Sequence, residues 1–138
     1  MDKEYTIGLR VKDSDCNEHM TLAYCKNNRV LPSLESFKNF KNLSAKVTGK
    51  GFLGPNKDIP VWFVSFESEE REEITNFWRT YNVEQEHTKG LEKPNLHVTI
   101  KKESPERKIG DTIQFSSIFA KRVGKYDPYF HFDLDIDL

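Results

Sequence analysis

Alternation with a period of two runs through most of this chain and restricts it to a sheet-rich fold. Tyr5, Ile7, Leu9 and Val11 alternate with Thr6, Gly8 and Arg10, as in a strand with one buried face. The same reading predicts strands at His19–Cys25, near Ser44–Gly49, at Val61–Glu67 and at Leu96–Lys101. Two long C-terminal segments, about Thr112–Val123 and Tyr129–Ile136, read as strands joined through the turn residues Gly124 to Pro128. Helical spacing replaces alternation in two places. From about Leu31 to Lys41, Leu31, Leu34, Phe37 and Phe40 recur every three residues, with Pro32 suited to a first turn. After Ser68, a candidate cap, Glu69 and Glu70 suit a helix start, and Ile74, Phe77, Trp78 and Tyr81 form its apolar face. The order β-β-α-β-β-α-β-β-β predicts an α+β fold of mostly antiparallel sheet with two helices packed behind it. At 138 residues it makes one domain, residues 1–138.

Charge narrows the function classes. A formal net charge of −1 and a pI near 6.4 argue against a protein that coats long duplex nucleic acid or binds membranes through a polybasic surface. A small anionic ligand held by a few placed groups is compatible with that balance. No apolar run is long enough to span a bilayer, and MDKEYTIGLR has no apolar core of a secretory signal. Cys16 and Cys25 have no metal-type spacing and read as reduced thiols. The expected address is the cytoplasm, whether of the source organism or of a host.

Within the second strand, His19-Met20-Thr21-Leu22 places an imidazole and a hydroxyl on one face and two apolar residues on the other. His97-Val98-Thr99-Ile100 repeats the pattern in the strand that follows the second helix. Average composition yields one such string by chance in roughly a few per cent of chains this size, and two more rarely by on the order of a hundredfold. The pair is therefore the strongest functional signal, although a coincidence within a structural sheet is the bland alternative.

Two histidines facing one cleft can divide acid–base labour at a phosphodiester. One takes a proton from the attacking oxygen and the other gives a proton to the leaving oxygen. Each threonine hydroxyl can donate to a non-bridging phosphate oxygen. Zinc is the competing use of two histidines, but no carboxylate or cysteine stands at helpful spacing, so neither a metal nor another cofactor is expected.

Two H-Φ-T-Φ motifs about eighty residues apart in a small α+β chain resemble the 2H phosphoesterase superfamily, the LigT-like group. The resemblance implies two pseudo-symmetric lobes of mostly antiparallel sheet around a central groove, with the helices outside. It implies His19, Thr21, His97 and Thr99 as the catalytic quartet of a metal-independent phosphodiesterase. It also implies a substrate among 2',5'-oligoadenylate, cyclic oligonucleotide signals or 2',3'-cyclic phosphate ends. Several relatives serve viruses or phages in disarming host nucleotide signalling, and the first two substrates rank ahead of the third. A non-catalytic nucleotide-binding module on the same fold is the rival.

Substrate-binding candidates follow from aromatic stacking and phosphate contacts. On the Val61–Glu67 strand, Trp62, Val64 and Phe66 make the more apolar face, so Phe63 is the better stacker; an inverted register gives that role to Trp62. Arg10, Lys101 and Tyr129 are further candidates. Tyr24 and Trp78 read as core, and His87 and His131 as structural or solvent-facing. The expected partner is a small nucleotide or short oligonucleotide; oligomeric state is open.

Overall fold

A computed structural model describes residues 4–26, 43–83, 88–122 and 134–137. The helix expected at about Leu31–Lys41, the turn Gly124–Pro128, and Tyr129, His87 and His131 lie outside the described residues.

Within them the order is β1 (Glu4–Val11), β2 (His19–Lys26), β3 (Ser44–Leu53), β4 (Ile59–Ser65), α1 (Ser68–Tyr81), β5 (His97–Thr99), β6 (Thr112–Arg122) and β7 (Leu134–Asp137). This is an α+β chain in which every strand pairing is antiparallel. The sheet runs β1-β2-β5-β4-β3-β6-β7, and β1 also pairs with β6. Six strands thus close on themselves. One edge of β6 meets β1; the other meets β3 through residues 112–114 and β7 through residues 117–120.

The helix packs against β2, with Ile74, Phe77 and Trp78 buried. They join Met20, Leu22, Val98, Trp62, Val64 and Phe66 in one core cluster. Met20 and Val98 are both fully buried, so truncating Met20 to alanine would cost about 2–5 kcal/mol. Ser68 is the first helical residue rather than the cap: Glu67 holds the cap position without a side-chain bond. No helix among the described residues is long and apolar enough to cross a membrane.

Three bulges adjust what simple alternation predicts. On β2, Ile7 faces Ala23 and Gly8 faces Thr21, leaving Leu22 as an extra residue. Such a two-against-one pairing reverses the faces beyond it. Ala23 therefore turns into the core and Tyr24 out of it, opposite to the unbroken alternation. Similar shifts fall between Val47 and Gly49 and between Arg10 and Val11. The strand expected near Ser44–Gly49 continues to Leu53, and only Gly54–Asp58 is the turn before β4. Both cysteines are free, Cys16 half-buried and Cys25 buried, and burial pushes the Cys25 thiol up to about 12.

Candidate functional site

The site follows from one register. In the antiparallel β2–β5 pair, Met20 stands opposite Val98. One step to either side sets His19 across from Thr99 and Thr21 across from His97. Met20 and Val98 point into the core, so all four polar residues share the other face. His19, Thr21, His97 and Thr99 are each half-buried. The exchange of partners is a local pseudo-dyad, with the histidines as its diagonal pair. Diagonal neighbours on antiparallel strands are roughly 7–8 Å apart, which leaves room for a phosphate between two imidazoles.

Both rings are oriented by the same device. His19 Nδ1 donates to the Asn17 carbonyl at 3.3 Å, and His97 Nδ1 to the Asn95 carbonyl at 2.8 Å. A carbonyl can only accept, so Nδ1 carries the proton and, in the neutral ring, Nε2 keeps its lone pair. The motif is therefore Asn-x-His-Φ-Thr in both copies, a repeat already visible in CNEHMT and PNLHVT. Among the described residues the Thr21 and Thr99 hydroxyls have no hydrogen-bond partner, and so remain available to a ligand.

Asn17 sits at φ +57°, in the left-handed region that asparagine tolerates. Its carbonyl also accepts from Lys101 Nζ at 3.0 Å. Burial holds the His19 pKa below the ordinary imidazole value; the Asn17 hydrogen bond works the other way, and the charges of Lys101, Lys121 and His97 add to the depression. The net effect favours the neutral imidazole.

Beside the first histidine, Glu18 is only 2% exposed. Arg107 meets it with two bonds, at 2.8 and 3.0 Å. Ser14 Oγ donates to the carboxylate at 3.3 Å and accepts from the Glu18 amide at 3.0 Å. Desolvation alone would raise the Glu18 pKa, but the Arg107 bonds and charge, with help from Ser104 and Ser14, bring it below the usual value. Read from sequence, KDSDCNE is simply a polar connection. Glu18 alone in it is buried, against an arginine 89 positions away, which local pattern does not reveal.

The other candidates divide by face. Arg10 stands opposite His19 on β1 and Phe63 opposite His97 on β4; both are half-buried on the site face. Trp62 is corrected by the same register: it pairs with Val98, joins the core cluster and is 7% exposed. It is therefore core and not a stacking surface. Lys50 lies 5.4 Å from its ring centroid. Lys101 lies at the site through its contact with Asn17, and Tyr129 is outside the described residues.

Two site residues escape the sequence reading. Phe119 lies edge-on to His19, with ring centroids 5.4 Å apart, and Lys121 adds positive charge at the same imidazole. Phe119 and Val61 are buried yet outside the core cluster; with Gly8 beneath Phe119 they floor the site face. Alternation along β6 puts Phe119 on one face with Lys121, but the pairing with β1 that brings both to His19 is a long-range fact. Surface clefts of about 280 and 250 Å³ lie away from the quartet, the first beside Arg107 and the second beside Trp78. No protein-family model matches the chain, and no curated protein matches it.

Proposed function

We propose that this chain is a metal-independent phosphodiesterase of the 2H type, acting on a small nucleotide or oligonucleotide by paired-histidine acid–base catalysis. The observation that carries the reading is the Met20–Val98 register, which gathers two oriented imidazoles and two unengaged hydroxyls on one face. In this reading the strands flanking β2 and β5 form two pseudo-symmetric lobes, and the site face is the groove between them.

His19 is the base. Its Nε2 takes the proton of the attacking oxygen, either a ribose hydroxyl or water, as the new P–O bond forms. Protonated His97 gives its Nε2 proton to the leaving oxygen as the old bond breaks. Thr21 and Thr99 donate to the non-bridging oxygens, where charge grows in the transition state. Attack by a neighbouring ribose hydroxyl yields a cyclic phosphate; attack by water yields a phosphomonoester. 2',5'-Oligoadenylate and cyclic oligonucleotide signals are the leading substrates, as for a viral or phage enzyme acting in a host cytoplasm. Ends bearing 2',3'-cyclic phosphate come next.

The test is a panel of cyclic dinucleotides, 2',5'-oligoadenylates and 2',3'-cyclic nucleotides, incubated with and without EDTA. Cleavage that survives EDTA and vanishes in both His19→Ala and His97→Ala supports the reading. Turnover indifferent to either substitution sinks it, and tight binding without turnover points instead to a sequestering module.

A further inference from the structure

The pseudo-dyad that relates the two histidines does not extend to their neighbours. The β1 residue opposite His19 is Arg10, and its counterpart on β4, opposite His97, is Phe63. One flank of the quartet therefore carries a guanidinium where the other carries a phenyl ring.

The surroundings deepen the difference. Around His19 stand Lys101, whose Nζ shares the Asn17 carbonyl with the His19 ring, and Lys121. The Arg10 guanidinium lies 5.9 Å from the Phe119 ring centroid, and that ring abuts His19. Around His97 the register brings Phe63, Val61, Gly49 and Gly51, none of them charged. The Phe63 ring lies over Gly51, where an added Cβ would come within 2.5 Å of Cε2. Among the described side chains of β1, β2, β4, β5 and β6, the site-facing positions hold no aspartate or glutamate; on β7 the register sets Asp135 opposite Phe119 and Asp137 opposite Ser117.

We propose that the groove is built for a substrate with at least two phosphates: the scissile one between the histidines, and a second on the His19 flank, held by Arg10 and Lys101. The neutral Phe63 flank takes a base, for which Gly49 leaves open space and a phenyl face offers stacking. This inference rests on the proposed phosphodiesterase activity and narrows its substrate class to oligonucleotides. A mononucleoside 2',3'-cyclic phosphate has only the scissile phosphate and leaves the basic flank unused. Adjacent strands are about 5 Å apart, so Arg10 stands one strand from His19, within reach of a neighbouring phosphate.

The experiment compares 2',5'-linked diadenylate with the same dinucleotide bearing an added phosphate at its 5' end or at its 3' end. The expected result is a gain in kcat/KM of roughly tenfold or more for one phosphorylated form, as for a charge-assisted contact. Arg10→Ala should collapse that ratio toward one, whatever it does to absolute rates. Binding of the three ligands to His97→Ala is read in parallel and should show the same ranking. A ratio near one in the wild-type chain, or a ratio untouched by Arg10→Ala, overturns the second-phosphate site. Absence of turnover, with the binding preference intact, overturns the enzymatic reading and leaves the site standing.

Discussion

The first histidine is held by a built anchor, the second by three residues of strand. Around His19, the connection from β1 is tied down by the buried Glu18–Arg107 pair, by Ser14 and by the Lys101 contact to Asn17. Around His97, β5 spans only His97–Thr99 and relies on its neighbours β2 and β4 and on the Asn95 carbonyl. Both devices end in the same ring orientation. The comparison teaches that the His-Φ-Thr pattern and its ring orientation are duplicated but their support is not. In the proposed mechanism an acid and a base need different environments, and the more elaborate support lies beside His19, whose pKa burial lowers.

The comparison is broken most severely at Arg107. Arg107→Ala strands a buried carboxylate, and loss of one partner of such a pair costs about 3–5 kcal/mol. Urea unfolding at neutral pH should show that loss, and hydrogen exchange should rise in residues 12–20 before it rises around His97. Because the Glu18 pKa is lowered on folding, the pair's contribution is present above the unfolded carboxyl value and lost as pH falls through the folded one. The gap between wild type and variant should therefore narrow in acid. An equal loss at every pH would mean that the pair stabilises by packing alone.

Glycines beside the two copies offer a second contrast. An added Cβ at Gly8 would meet Phe119 Cζ at 2.7 Å and the Met20 carbonyl oxygen at 2.8 Å. The backbone atom cannot swing away, so Gly8→Ala should cost about 1–3 kcal/mol by thermal melting. At Gly51 the close neighbour is the outer edge of the Phe63 ring, which can turn. Gly51→Ala should therefore cost less than about 1 kcal/mol while weakening ligand binding through the displaced ring. Equal melting losses would contradict this division.

The smallest effect sharpens the electrostatic side. Lys101→Met removes a charge that lowers the His19 pKa, so the imidazole should titrate higher. Followed by NMR, the His19 ring should move and the protein should stay folded. If His19 is the base, protonation at low pH removes activity, so the acid limb of kcat/KM must move upward with the same substitution. A stationary limb would take the base role from His19.

Much of this site could be read before the fold was known. Alternation sorted His19, Thr21, His97 and Thr99 onto one face of each strand, and favoured Phe63 over Trp62 for the site. What stayed hidden was long-range or depended on one residue. The β2 bulge reverses Ala23 and Tyr24, and no period-two pattern shows where an extra residue is absorbed. The Met20–Val98 register, the Glu18–Arg107 pair and the arrival of Phe119 at His19 each join segments far apart in the chain. The Asn-x-His repeat was local and legible, yet its meaning came only from the carbonyls that meet the rings.

The central claim is that the two histidines act as one unit. The most direct measurement is kcat/KM for His19→Ala, His97→Ala and the double variant on the best substrate of the panel. Acid–base partners contribute about 10²–10⁴-fold each, and groups that work as a unit are far from additive. The account predicts a large loss in each single variant and little further loss in the double. A single variant that retains the wild-type rate, or losses that multiply as if independent, would contradict it.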